Sequence, residues 1–215
     1  MSILSVKNLT FGYEDCPVFN DFSINFEEGN LYCIVGENGA GKTTLLKCIT
    51  SLINNGVSIY YNECEIAKNK NLLKNFSYIM NEDTLYDYMT VIENINFYKN
   101  LFSENCEFVS NVKEILVALN CYNYKDYLVK NLSQGTRNKI YLAIMLCKKA
   151  KIILLDEPFT ALDNKSQKFF FELIKNKSLN DNITILMVTH IDEFKSIANK
   201  TIHIEKSVLC DKNND

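Results

Sequence analysis

The chain has 215 residues and a formal net charge of −3, a size at which one α/β domain buries roughly 70–75 % of its unfolded surface without covalent staples. Arg137 is the only arginine and the pI is near 5.5, which excludes the basic footprint of a nucleic-acid-binding protein. No run approaches the ~18 apolar residues that span a bilayer, and Met1-Ser-Ile-Leu-Ser-Val-Lys7 lacks a secretory layout, so a cytoplasmic chain is expected.

From Ile3 to Phe26 the pattern predicts short alternating strands, clearest where Phe22, Ile24 and Phe26 share a face opposite Ser23 and Asn25. Val57 to Ile66 reads as a further strand of the same small antiparallel sheet. Leu31-Tyr-Cys-Ile-Val35 is an apolar run of the buried-strand type and leads into Gly36-Glu-Asn38-Gly39-Ala40-Gly41-Lys42-Thr43-Thr44. This stretch matches G-x-x-x-x-G-K-[ST], in which backbone N–H groups turn inward on phosphates and a helix starting near Lys42 adds its positive end. Lys42 would reach the β- and γ-phosphates, and Thr43 would offer a hydroxyl to Mg²⁺. The helix face Leu45, Leu46, Ile49, Leu52, Ile53 comes next, so the chain is predicted to bind a nucleoside triphosphate.

From Asn81 to Cys147 the periodicity turns helical. Thr90-Val-Ile-Glu93 spells a capping box, with Ile95, Tyr98 and Phe102 on the face that succeeds it. Ser133, in Leu132-Ser-Gln134-Gly135-Thr136, reads as the N-cap of a helix carrying Ile140, Ala143, Ile144 and Cys147 on one face. A hydroxyl, a glycine amide and a helix N-terminus there make an anion site that the chain's own phosphate loop does not need. Lys151-Ile-Ile-Leu-Leu155 has the continuous apolar character of a parallel strand covered on both faces and ends in Asp156-Glu157-Pro158. Two carboxylates at the C-terminal edge of such a strand face the place where open α/β sheets bind ligands. Asp156 would then hold the Mg²⁺ shell and Glu157 would orient or deprotonate the attacking water. Asp163 opens another helix bearing Phe169, Phe170, Leu173 and Ile174, Ile183 to Thr189 is a strand ending at His190, and the chain closes after Thr201 to Leu209. Eight cysteines form no C-x-x-C pair and read as buried, reduced thiols, so no metal beyond nucleotide-bound Mg²⁺ is implied.

The order of these motifs resembles the ATP-binding subunit of ABC transporters from end to end of the chain. The resemblance implies a single domain over 1–215, with a helical subdomain at about 82–148 inserted in a P-loop NTPase core of mainly parallel sheet beside a small antiparallel β subdomain. It implies that Tyr13, in Leu9-Thr-Phe-Gly-Tyr13, stacks on adenine, that Ala161-Leu-Asp163 is the loop crossing a dimer interface, and that His190 is the switch histidine. Ser133, Gln134 and Gly135 fall at the signature, with Gln134 where the family usually has glycine and Thr136 where it has glutamine. Asn81 stands where the family has a glutamine that approaches Mg²⁺ and the attacking water; it keeps the carboxamide on a side chain shorter by one methylene.

The resemblance further implies an ATPase in which two chains, alike or different, sandwich two ATP molecules head to tail and drive a separate integral membrane permease from the inner face of the membrane. Leu85-Tyr-Asp-Tyr88-Met89 would offer that permease aromatic anchors. The spelling Ser-x-Gly-x-Arg leans toward an exporter. The competing readings are a soluble ABC-type ATPase acting on ribosomes, DNA or assembly machinery, and a generic P-loop kinase or GTPase, which leaves Ser133-Gln-Gly135 and Ala161-Leu-Asp163 unexplained.

Overall fold

The computed structural model describes residues 2–13, 16–53 and 58–205. Strands β1 (Ser2–Tyr13) and β2 (Cys16–Glu27) form an antiparallel pair, succeeded by β3 (Leu31–Val35) and helix α1 (Lys42–Ile49). After β4 (Ser58–Tyr61), β5 (Cys64–Glu65) and β6 (Phe76–Ile79) come α2 (Val91–Leu101), α3 (Cys106–Ala118) and α4 (Gln134–Cys147). The chain then alternates through β7 (Ile152–Asp156), α5 (Asn164–Asp181), β8 (Thr184–Val188), α6 (Asp192–Ser196) and β9 (Lys200–His203). Two sheets result: a five-stranded one ordered β6-β7-β8-β3-β9, in which every pairing is parallel, and a four-stranded antiparallel one ordered β2-β1-β4-β5.

The uninterrupted apolar character of β7 has a direct cause. Ile152 and Leu154 face a core shared with α1 and the antiparallel sheet, while Ile153 and Leu155 face a second core shared with α2 to α6. Side chains alternate with a period of two, so a strand covered on both faces must be apolar at every position. Its first polar residue, Asp156, is therefore delivered at the strand's C-terminal edge, together with the other loops of that edge.

Elsewhere the structure revises the sequence expectations. The short strands expected between Ile3 and Phe26 are two strands of 12 residues each, because register shifts along β1 break the alternation that a continuous strand would display. The expected strand up to Ile66 is a hairpin. Asn62 and Glu63 both take left-handed φ (46° and 64°), as a two-residue primed turn demands, and Ile66 lies in a short 3₁₀ turn. Val57, Cys210 and the continuation of the last strand to Leu209 lie outside the described residues.

The predicted capping box is present in full, with Glu93 N donating to Thr90 Oγ1 and Thr90 N donating to Glu93 Oε2. The segment before it, expected to be helical from Asn81, is not. It is gathered by Asn94, fully buried on α2, whose carboxamide accepts from Tyr86 N and donates to the carbonyls of Tyr86 and Thr90. Among the cysteines, Cys33, Cys48 and Cys121 are buried, but Cys64 and Cys106 are exposed, since the hairpin edge and the first turn of α3 leave them no core to enter.

Candidate active site

The glycine-rich loop between β3 and α1 encloses one side of a cavity of about 460 Å³ lined by Tyr13, Val18, Asn38, Gly39, Gly41, Lys42, Thr43, Thr44 and Glu157. Gly41, the N-cap of α1, has φ 103°, and an added Cβ would sit 2.5 Å from Val18 Cγ1. Only glycine fits there. No side chain caps the helix, so its first N–H groups remain directed at the loop, which is the arrangement that binds phosphate. Gly36 is pressed by the backbone of Ile204, whose carbonyl oxygen would lie 2.3 Å from a Cβ. Lys42, almost wholly buried, donates from Nζ to the carbonyls of Gly36 and Glu37 at 2.9 Å each, and the buried Ala40 closes the turn by donating its N–H to Glu37 O.

Asp156 joins this loop from the sheet edge. Thr43 Oγ1 donates to Asp156 Oδ1 (3.0 Å) and Tyr78 Oη donates to Asp156 Oδ2 (3.1 Å). Burial pushes the Asp156 carboxyl up from its ordinary value, and the two hydroxyl bonds oppose that rise. The Tyr78 phenol is in turn raised by burial and by Asp156, so it stays a proton donor.

Glu157, next in the chain, has left-handed φ (52°) although it precedes a proline, a conformation costing on the order of 1–3 kcal/mol that recurs at functional sites. Its N–H is anchored to Val188 O at 3.0 Å, and its carboxylate reaches the cavity wall with Oε1 3.2 Å from His190 Nε2. The sequence separates these residues by a strand and a helix; the β7–β8 pairing brings them together. Asn81 is exposed and its Oδ1 accepts from Thr160 Oγ1 at 3.4 Å, in the turn after Glu157.

The signature residues lie outside the cavity. Ser133 caps α4, accepting from Thr136 N; Gln134 Nε2 donates to Asn138 Oδ1; a Cβ on Gly135 would meet Ala161 O at 3.4 Å. The fold thus seats the signature against the Ala161-Leu162-Asp163 loop. Asp163 caps α5 through Ser166 and pairs with Lys139 of α4, which holds its carboxyl well below the ordinary range. Arg137 forks onto Asp83 and Asp87. Tyr86 and Tyr88 are exposed, Tyr88 most of all at 80 %.

Sequence reasoning misses Val18, Tyr78, Lys139 and Thr160. Tyr78 has a visible signal, a polar-tipped aromatic within an otherwise core-type strand; the others have none. The oxygen set at Thr43 and Asp156 suits a hard cation, and the cradle at Gly36 to Thr44 suits a triphosphate.

Comparison with known proteins agrees with this geometry. The ABC transporter family model matches residues 19–160. The ergothioneine transport ATP-binding protein EgtV of Helicobacter pylori is 31 % identical over 94 % of this chain and 97 % of its own length. The phosphonates import ATP-binding protein PhnC of Fusobacterium nucleatum is 30 % identical over 97 % and 91 %. Among solved structures, an ATP-binding subunit of an ABC transporter superposes with a TM-score of 0.86 at 23 % identity, over 94 % of this chain and 86 % of that one. A dimeric bacterial ABC transporter cassette superposes with 0.82 at 22 %, over 94 % of both. The chain belongs to the ABC transporter family, as an ATP-binding and ATP-hydrolysing cassette.

Proposed function

We propose that this cassette works as one of a head-to-tail pair, with a second copy or a second kind of cassette, closing around two ATP molecules on the cytoplasmic face of a membrane and driving a separate integral permease. The observation that carries the reading is the separation of two phosphate-seeking elements within one chain. The glycine loop has its own cavity, whereas Ser133, Gln134 and Gly135 stand outside its lining, with Gly135 close to Ala161. An anion site with no phosphate of its own chain to meet is completed by a neighbour's.

In this arrangement residues 1–215 act as one domain with the helical part at about 82–148 inserted. Gly36, Asn38, Gly39, Ala40, Gly41, Lys42 and Thr44 cradle the phosphates, and the half-exposed Tyr13 ring, at the cavity rim, stacks on adenine. Ser133, Gln134, Gly135 and Asp163 serve the opposite nucleotide. Thr43 and Asp156, with Asn81 nearby, would hold Mg²⁺, which when bound supplies positive charge to the phosphate oxygens. Glu157 takes the proton of the attacking water, and His190, 3.2 Å away, orients its carboxylate. The relatives' names carry unlike cargoes, ergothioneine and phosphonates among them, on cassettes alignable over nearly the whole chain, which supports a permease that chooses the cargo. The exposed Tyr86 and Tyr88 support its docking beside them.

The test is Glu157→Gln, which should lose about 10²–10⁴ of turnover while accumulating an ATP-bound pair, alongside Ser133→Arg, which should keep ATP binding by the isolated chain and lose pairing. Unchanged turnover in the first, or lost monomer binding in the second, overturns the site assignment. Recovery of ribosomes or a soluble complex, with no membrane protein, in a detergent pull-down overturns the permease.

A further inference from the structure

We infer that Tyr78 is a positioning residue for the magnesium site: its phenol fixes one oxygen of Asp156 so that the other, together with the Thr43 hydroxyl, presents a set pair of oxygens to the cation. The inference rests on the proposal that Thr43 and Asp156 hold Mg²⁺, and it adds a residue to which neither the motifs nor the comparisons give a role.

A carboxylate at a strand end can swing about its Cβ–Cγ bond. Here it is held at both oxygens by donors from different elements, Thr43 of α1 on Oδ1 and Tyr78 of β6 on Oδ2. The Thr43 bond engages the very group proposed to face the metal. The Tyr78 bond lies on Oδ2, the oxygen that Thr43 does not engage, and so does not occupy Oδ1. It can therefore persist when a cation is bound, in the way outer hydrogen bonds orient ligating carboxylates in metal sites.

Packing does not account for the hydroxyl. The Tyr78 ring lines a 310 Å³ groove between the sheet and the helical part, with Thr50, Leu52, Met80, Tyr98 and Tyr141, and a phenylalanine would fill that wall equally well. What phenylalanine lacks is the donor to Asp156, whose buried carboxylate would then keep Thr43 as its one hydroxyl donor among the described residues. Tyr78 also pairs in register with Leu154, two residues before Asp156, so the parallel ladder sets the distance that the phenol spans.

The experiment compares the wild type with Tyr78→Phe, measuring ATP affinity by titration with EDTA and with Mg²⁺, and Mn²⁺ occupancy of the nucleotide complex by electron paramagnetic resonance. Tyr78→Phe should bind ATP within twofold of wild type in EDTA, lose about 10–100-fold in affinity for Mn²⁺, and unfold with undiminished cooperativity. Asp156→Ala is the control for the underlying reading. If it abolishes the Mg²⁺-dependent gain while Tyr78→Phe matches the wild type within twofold, the positioning role is wrong and the metal assignment stands. If Asp156→Ala also leaves that gain intact, the metal assignment itself falls. Equal loss of ATP affinity with and without metal in Tyr78→Phe would make the phenol a structural group and overturn the inference.

Discussion

Arg137→Ala tests how the signature helix is held. The guanidinium donates from Nε and Nη2 to the two oxygens of Asp83 at 3.1 and 3.0 Å, and from Nη1 to Asp87 at 2.7 Å. The Asp83 side chain is only 4 % exposed, whereas that of Asp87 is 50 % exposed. These exposures set the magnitudes. Removing the partner of a buried carboxylate costs about 3 kcal/mol or more, while the solvent-screened Asp87 bond adds less than about 1 kcal/mol. At roughly 2–4 °C per kcal/mol for a domain of this size, the midpoint of thermal unfolding should fall by about 6–12 °C. Arg137→Lys keeps the charge but not the two-pronged geometry, and its stability should fall between those of Arg137→Ala and the wild type. Urea unfolding of Arg137→Ala, Asp83→Ala and the double variant closes the cycle. The double variant should be more stable than the sum of the single losses by about 1.5 kcal/mol or more. A loss below about 0.5 kcal/mol, the range of ordinary surface changes, or strict additivity, would refute the reasoning.

The same geometry sets two further outcomes. The Asp163 carboxyl is held low first by Lys139 and then by the Ser166 N–H; a depressed folded value means that its contribution is complete above the unfolded carboxylate value of about 3.9 and fades as pH falls below it. Lys139→Met should therefore be less stable than wild type at neutral pH and converge with it in acid, and parallel stability curves from pH 7 down to 2 would contradict this. Gly41→Ala forces a Cβ to 2.5 Å from Val18 Cγ1 at φ 103°. It should cost at least ~1–2 kcal/mol in backbone strain and weaken ATP binding in a fluorescence titration, so wild-type affinity would show that the loop can bear a side chain.

The features legible in the sequence are the local ones. The phosphate loop, the Asp156-Glu157 strand end, the Ser133 cap and the Thr90–Glu93 box each declare themselves within a few residues, and each is where the pattern puts it. Strands are misread where regular spacing fails. Register shifts in β1 disguise one long strand as fragments, and the turn at Asn62-Glu63 has no glycine to announce it. The side-chain bonds that organise the site are hidden for a different reason: Tyr78 lies 78 residues from Asp156, and Arg137 lies 54 from Asp83. No local pattern reports a bond closed by the order of strands in a sheet.

These distant bonds bear on how the cassette works. The first turns of α4 carry three kinds of residue at once: the signature at Ser133 to Gly135, the fork from Arg137 to the segment after Asn81, and the Lys139 contact to Asp163. Asn81 in turn touches Thr160, just beyond Glu157. A displacement of the 83–87 segment, which adjoins Tyr88 and bears the exposed Tyr86, must therefore move α4 or break a nearly buried ion pair. Breaking that pair costs about 3 kcal/mol, so the ion pair resists any displacement of the segment that α4 does not share. The helix end proposed to meet a neighbour's ATP is thus mechanically joined to the surface proposed to meet the permease. The join is made by Arg137 with Asp83 and Asp87, side chains that the sequence keeps 54 and 50 residues apart.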